Sequence, residues 1–162
     1  MNAIVTGSFD PMTIGHYELV KMASEKFDKV YVVALVNKDK NHMFTLEQRK
    51  KIIELTVDGL KNVVADAYDG LTADYMHKMN ITQIVRGIKN EQEIEYERNL
   101  ANAMKSFDES FETTFLVCEK DISHVSSTLV RKLLNENKSV NEIVHPNALA
   151  TILQMYEQNK LN

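Results

Sequence analysis

The chain has 162 residues, of which 44% are hydrophobic and 26% are charged, as is typical of one soluble globular domain with a hydrophobic core. Its formal net charge of −4 argues against binding to nucleic acid, and its single cysteine excludes an intrachain disulfide and a cysteine-based zinc site. No apolar run approaches the length of a membrane span. We therefore expect a cytoplasmic protein with one domain over residues 1–162 and with neither a membrane nor nucleic acid as a partner.

The first sixteen residues predict a phosphate-binding turn. A short apolar run at residues 3–6 is typical of a buried strand, and it ends at Gly7. Apolar residues then recur at helical spacing, which places a helix start near Gly15 and His16 in the first helical turn. Such a junction directs free backbone N–H groups and the positive end of the helix dipole to one point, which attracts phosphate. His16 alone would favour a simple helix cap, but the turn residues before it favour a functional site.

The rest of the chain alternates predicted strands and helices. Further strands are predicted at 29–36, 62–68, 82–85 and 113–118, and further helices from Thr45, at 71–79, at 90–107, from Ser126 and from Pro146 to about 158. Thr45 and Gln48 have the spacing of a capping box, and Thr72 is a candidate cap. We expect Arg49 on the exposed face of its helix, and an inward apolar face in the helix at 90–107 that continues to Phe107.

Five alternations of strand and helix predict an α/β fold, namely a doubly wound, five-stranded parallel sheet with helices on both faces and C-terminal helices. In such sheets ligands bind beyond the carboxyl ends of the strands, where the strand order reverses. The segments that follow the five predicted strands are Gly7-Ser8, 38–40, 70–72, Arg86-Gly87 and 126–128. We expect the functional residues in these segments.

Besides the opening motif, four groups of residues in the chain are suited to anions or nucleotides. Lys40 offers a compact positive charge, although Lys40 taken alone favours a solvated surface lysine, and Arg86 can hold a phosphate through two parallel hydrogen bonds. Glu93 and Glu97 share one helix face, where a carboxylate either accepts hydrogen bonds from a nucleotide or is simply solvated. Hydroxyls and free N–H groups at 122–128 predict a second anion site, or only a helix cap.

These motifs carry a family resemblance. Ser8 and Thr13-Ile14-Gly15-His16 resemble the T/S-x-x-H and H-x-G-H elements of the HIGH-type nucleotidyltransferase superfamily. With K-x-x-M-F-T-x-x-x-R, R-G-I-K, E-Y-E and V-S-S-T, the chain from Ala3 to about Pro146 resembles the bacterial phosphopantetheine adenylyltransferases. The resemblance implies a Rossmann-like fold and transfer of the adenylyl group of ATP to 4′-phosphopantetheine, which gives dephospho-coenzyme A and pyrophosphate. It also implies Mg²⁺ with the ATP and a homohexamer.

The resemblance implies three sets of site residues. The catalytic set is His16, Lys40 and Arg86. The ATP-binding set is Ser8, Phe9, His16, Gly87, Ile88, Lys89, Glu97, Ile122, Ser123, His124, Val125, Ser126, Ser127 and Thr128. The set that binds the acceptor is Ser8, Lys40, Thr72 and Arg86. We assign no general base and no protein ligand to a metal, since the triphosphate and water would hold Mg²⁺.

The chain departs from the family pattern at four places. Lys89 replaces a common arginine, so that a point charge stands in for a two-pronged contact. Ala103-Met104 replaces a Met-Asn pair, Ile122 replaces an aromatic residue, and Val5-Thr6 replaces Tyr-Pro. These changes affect contacts to the acceptor more than contacts to the nucleotide.

Two other functions are compatible with the opening motif. One is transfer to another acceptor, by an adenylyltransferase for nicotinate or nicotinamide mononucleotide or by a cytidylyltransferase for glycerol phosphate or choline phosphate. The cytidylyltransferases carry R-T-x-G-I-S-T-T, which residues 125–128 lack. The other is a non-catalytic sensor of a nucleotide or of coenzyme A, against which the retention of Ser8, His16, Lys40 and Arg86 argues.

Overall fold

The computed structural model describes residues 1–118 and 122–162 and contains five strands and six helices in that part of the chain. In chain order the elements are β1 (Asn2–Gly7), α1 (Ile14–Lys26), β2 (Lys29–Leu35), α2 (Leu46–Val57), β3 (Val63–Tyr68), α3 (Thr72–Met79), β4 (Gln83–Ile88), α4 (Glu93–Phe107), β5 (Glu112–Val117), α5 (Ser127–Asn135) and α6 (Pro146–Lys160). All strand pairs are parallel, in the order β3-β2-β1-β4-β5. The predicted doubly wound sheet is confirmed.

The strand order reverses between β1 and β4, and the pairing there is incomplete. β1 pairs with β2 along its whole length, but it pairs with β4 only at Ala3 with Gln83 and at Ile4 with Ile84. Beyond these two pairs the strands separate, and the sheet opens toward its carboxyl edge. The ligand position expected for a doubly wound sheet is therefore a physical gap between two neighbouring strands.

The core has two layers, one on each face of the sheet. The larger cluster packs β1 and β2 against α1, α2, α5 and α6 through Val5, Val32, Ile52, Val130 and Ile152, all nearly inaccessible to solvent. The smaller cluster packs the opposite face against α3 through Ile4, Val33, Tyr75 and Met76. In the described part of the chain no helix is long and apolar enough to cross a membrane.

Several predicted helix caps are confirmed, because a cap depends on neighbouring residues alone. Thr45 and Gln48 form the capping box of α2, Ser126 caps α5 by accepting a hydrogen bond from Leu129 N–H, and Pro146 opens α6. The proposed cap at Thr72 is wrong. Leu71 occupies the cap position of α3 without a side-chain hydrogen bond, and Thr72 is the first helical residue.

Three further expectations are corrected. Arg49 was expected on the exposed face of α2, but it is 1% exposed. Its guanidinium points into the protein and donates to the carbonyl oxygens of Ser8, Leu35 and Phe44. Arg86 and Gly87 lie inside β4, which continues to Ile88 because β5 pairs along its entire length. The apolar face of α4 is only partly buried, since Met104 packs against the smaller core cluster but Phe107 is 63% exposed and β5 is an edge strand.

Candidate active site

A cleft of about 280 Å³ lies where β1 and β4 separate. It is lined by Val5, Thr6, Gly7, Phe9, Gly15, His16 and Leu19 from the start of the chain, by Val85, Arg86, Gly87, Ile88, Lys89, Glu93 and Glu97, and by Leu116, Cys118, Ile122 and Ser123. Gly87 allows α1 to approach β4, since a Cβ on Gly87 would meet Leu19 Cδ2 at 3.2 Å. Most of the predicted nucleotide-binding residues thus meet in one place.

His16 is held by the capping box of α1. Thr13 N–H donates to His16 Nδ1 at 3.0 Å, and His16 N–H donates to Thr13 Oγ1 at 3.3 Å. Because Nδ1 accepts a hydrogen bond, the neutral ring carries its proton on Nε2. The edge of the Phe9 ring packs against the imidazole with the ring centroids 5.0 Å apart. His16 is therefore both the N3 member of the capping box, with Thr13 as the N-cap, and a cleft residue, with Nε2–H left as a donor.

Burial, together with the smaller effects of the positive charges of Lys89 and Arg86, lowers the pKa of His16 to about 4. At neutral pH the imidazole is uncharged. The site therefore presents a neutral N–H donor beside two cations, which suits a hydrogen bond to a phosphate oxygen rather than proton removal.

Arg86 and Glu97 form a bidentate ion pair across the cleft. Arg86 Nε donates to Glu97 Oε2 at 2.8 Å and Nη2 donates to Oε1 at 2.9 Å, while Nη1 lies 3.5 Å from Thr6 O. The hydrogen bonds to Glu97 raise the pKa of Arg86, against the effect of burial. Glu97 is 6% exposed, so the solvated alternative for this carboxylate is wrong. The Nε–Nη2 edge of Arg86 is thus bound to Glu97, and Nη1, which donates one hydrogen toward Thr6 O, has a second N–H that can meet an anion.

Lys89 connects β4 to the segment before α5. Its Nζ donates to Val125 O at 2.7 Å, and its backbone N–H donates to Glu93 Oε2 at 3.0 Å. Of the predicted segment 122–128, Ile122 and Ser123 line the cleft. Lys89 thereby links the end of β4 to the segment that contains two of the lining residues.

The hydroxyl groups of residues 126–128 are engaged within the protein. Ser126 Oγ caps α5, Ser127 Oγ donates to Pro11 O at 2.7 Å, and Thr128 Oγ1 accepts from Arg131 Nη2 at 3.2 Å. The capping alternative is therefore correct for Ser126. Like His124 and Val125, these residues are not part of the cleft lining. Their contact with ATP stays a prediction.

The residues predicted to bind the acceptor lie farther apart than those predicted to bind the nucleotide, and of them only Arg86 lines the cleft. Lys40 is exposed in the loop after β2, Thr72 is half-buried at the start of α3, and Ser8 is half-buried beside the cleft; none of the three lines it. The structure therefore brings most of the predicted nucleotide set into the cleft lining and leaves most of the acceptor set outside it.

Two structural residues of this site lay outside the predicted sets. Asp10 accepts hydrogen bonds from Met43 N–H at 2.8 Å and Phe44 N–H at 2.9 Å, which fixes the end of the Lys40 loop. Arg49 donates from Nη1 to Ser8 O at 2.7 Å and to Leu35 O at 2.8 Å, and from Nε to Phe44 O at 3.2 Å. The available signal was that Arg49 ends the motif K-x-x-M-F-T-x-x-x-R and that Asp10 lies in the opening turn between Ser8 and Thr13. Their partners lie too far along the chain to be paired by spacing.

The described residues contain no group of three His, Cys, Asp or Glu side chains arranged to hold a metal ion. The carboxylates of the cleft lining are Glu93 and Glu97, and both already accept hydrogen bonds from Lys89 N–H or Arg86. This donor set does not form a protein cage for Mg²⁺. It fits a cation that arrives with the phosphates of a substrate and keeps water ligands.

The fold and the cleft agree with a comparison of the chain with known protein families. The cytidylyltransferase-like family model matches residues 4–133, which places the protein in the nucleotidyltransferase class. Phosphopantetheine adenylyltransferase of Shouchella clausii is 32% identical over 96% of this chain and 98% of its own. The enzymes of that name from Clostridium novyi and Lactiplantibacillus plantarum are each 37% identical, over 88% and 93% of this chain and over 94% and 91% of their own. The chain belongs to the phosphopantetheine adenylyltransferase family.

A solved structure supports the fold independently. A Vibrio parahaemolyticus protein described as a candidate nicotinate-nucleotide adenylyltransferase superposes with a TM-score of 0.72 over 97% of this chain and 95% of its own. The two sequences are 19% identical, so the likeness concerns the fold alone.

Proposed function

We propose that this protein transfers the adenylyl group of ATP to 4′-phosphopantetheine and releases pyrophosphate and dephospho-coenzyme A. The observation that carries the proposal is the neutral Nε2–H of His16, in a cleft between β1 and β4 that also holds Arg86 and Lys89. The choice of acceptor comes from the relatives, whose name specifies phosphopantetheine.

The reaction is an in-line displacement that needs no covalent intermediate. A phosphate oxygen of the acceptor forms a bond to the α-phosphorus of ATP while the bond to the bridging oxygen breaks, and the electron pair leaves with pyrophosphate. The attacking phosphate is already ionised, so no general base is required. His16 Nε2–H donates to the charge that grows on the leaving side, and a preformed donor of this kind stabilises the transition state more than the ground state.

The cations of the site compensate the approach of two anions. Lys89 and Arg86 lie at the cleft, and the N-terminus of α1 adds backbone N–H groups and the helix dipole. We further propose that Lys40 and Arg86 bind the acceptor phosphate. The nucleotide is taken as its Mg²⁺ complex, with the ion carried by the phosphates and water.

The test is an acceptor-resolved pyrophosphate assay. The purified protein is incubated with ATP, Mg²⁺ and either 4′-phosphopantetheine or nicotinate mononucleotide, and with CTP and glycerol phosphate in a third reaction. We expect pyrophosphate and dephospho-coenzyme A only in the first, and background release from His16→Gln. Turnover with either of the other pairs and none with 4′-phosphopantetheine would overturn the proposal.

We also propose that the chain works as a homohexamer in the cytoplasm. Exposed apolar side chains on α4 and the edge strand β5 support an assembly, since Tyr96, Phe107 and Val117 are each more than 60% exposed. Light scattering after gel filtration is expected to give about six times the 18.6 kDa of one chain. A mass of one chain at micromolar concentration would contradict the assembly.

A further inference from the structure

The loop between β2 and α2 is anchored to the first loop of the chain by one carboxylate. Asp10, whose side chain is 4% exposed, accepts hydrogen bonds from the backbone N–H groups of Met43 and Phe44. Arg131 Nη1 lies 3.9 Å from Asp10 Oδ2, and the charge of Asp10 acts on the guanidinium of Arg49. The carboxylate is thus compensated by two cations, and it fixes the C-terminal end of the loop.

His42 links the beginning of the same loop to this anchor. Its Nε2 accepts a hydrogen bond from Asn37 N–H at 3.4 Å, and its Nδ1 lies 3.6 Å from Asp10 Oδ2. Because Nε2 accepts, the neutral ring carries its proton on Nδ1, the atom that faces the carboxylate. The side chain is only 13% exposed. The imidazole therefore links the beginning of the loop to Asp10, whose carboxylate binds the end of the loop directly.

Lys40 lies at the exposed tip of this loop, between Asn37 and His42. Its backbone N–H donates to Asn37 O at 3.1 Å, and residues 38–41 are exposed. A segment without buried side chains takes its position from the contacts at its ends. The location of the Lys40 ammonium is therefore set by how the ends of the loop are held.

We propose that His42 is a positioning residue for acceptor binding, which joins Asn37 to Asp10 and so holds Lys40 where its ammonium meets the acceptor phosphate. The inference rests on the proposed function and deepens it. Without the imidazole, Met43 and Phe44 stay bound to Asp10, but the beginning of the loop loses its link to the anchor. The loop then samples more positions, and binding of the acceptor must order it.

The test is a double-mutant cycle between His42 and Lys40 in steady-state kinetics. His42→Ala is expected to raise the KM for 4′-phosphopantetheine about fivefold to tenfold, within the range of coupling between contacting groups, and to leave the KM for ATP within about twofold. In a Lys40→Ala background His42→Ala is expected to have no further effect. Lys38→Ala, which removes another exposed cation of the same loop, is the matched control and is expected to keep both KM values.

A conservative variant separates positioning from simple loss of structure. His42→Gln offers one acceptor and one donor, as the neutral ring does, and is expected to recover most of the acceptor KM. An unchanged acceptor KM in His42→Ala overturns the inference, as does an effect of equal size in the Lys40→Ala background or a parallel rise of both KM values with a lower Tm. A wild-type protein that does not turn over 4′-phosphopantetheine overturns the proposed function first, and the acceptor role of His42 with it.

Discussion

At the scale of single residues, His16 has a structural role in the capping box of α1 and a proposed role in catalysis, and one substitution can separate them. A Thr at the cap and a Gln at the third helical position form an ordinary capping box, so His16→Gln preserves the cap and removes the imidazole. We expect kcat to fall about 10²- to 10³-fold with little change in Tm, because one transition-state donor is lost. His16→Ala, the comparison variant, is expected to lose a further ~1 kcal/mol of stability with the cap contact. Wild-type turnover in His16→Gln would exclude the assigned role.

Arg49 is a second residue whose function follows from its contacts. Its guanidinium satisfies the carbonyls of Ser8, Leu35 and Phe44 from a buried position. Arg49→Met leaves these acceptors without that donor and is expected to reduce the free energy of unfolding by about 3–5 kcal/mol in urea titration. Lys51→Met, on the exposed side of the same helix, is the control and is expected to change it by less than about 0.5 kcal/mol. Equal effects of the two substitutions would contradict this account.

At the scale of elements, the cleft depends on how α5 is held against the first loop. Ser127 Oγ donates to Pro11 O, and Arg131 Nη1 donates to Asp10 O at 2.7 Å. Ser127→Ala is expected to cost about 1 kcal/mol and to accelerate hydrogen exchange within α5. Ser106→Ala, which removes a hydroxyl bound only to Asn102 O of its own helix, provides the control. Unaltered exchange in α5 would show that the hydroxyl does not hold the helix.

At the scale of the whole molecule, the pKa of His16 predicts how stability changes with pH. The pKa is about 4 in the folded state and 6.5 in the unfolded chain, so between these values the unfolded state binds more protons. Stability therefore rises with pH across this window and is constant above it, as far as His16 contributes. The difference in unfolding free energy between wild type and His16→Gln is expected to grow in favour of wild type from pH 4 to pH 6.5. A flat or inverted difference would contradict a depressed pKa.

Much of the cleft could be predicted from local patterns. Five apolar strands separated by helices imply a doubly wound sheet, and the caps at Thr13, Thr45 and Ser126 depend on residues three positions apart. Because the carboxyl ends of parallel strands share one edge, the chain order of the motifs already placed the nucleotide residues together. Strands, helices and caps depend on the spacing of residues that are close together in the sequence, so they can be predicted without knowing which distant segments pack against them.

The sequence by itself thus determined the fold class, the family and the location of the cleft. Only the tertiary structure decided that β1 and β4 separate after two residue pairs, that Arg86 is held by Glu97, and that Arg49 is buried. Arg49 lies 41 residues from Ser8, and Arg86 lies 80 residues from Thr6. Contacts at such separations arise when distant segments cross, so the partner of a charged side chain is fixed by packing and not by its neighbours in the chain.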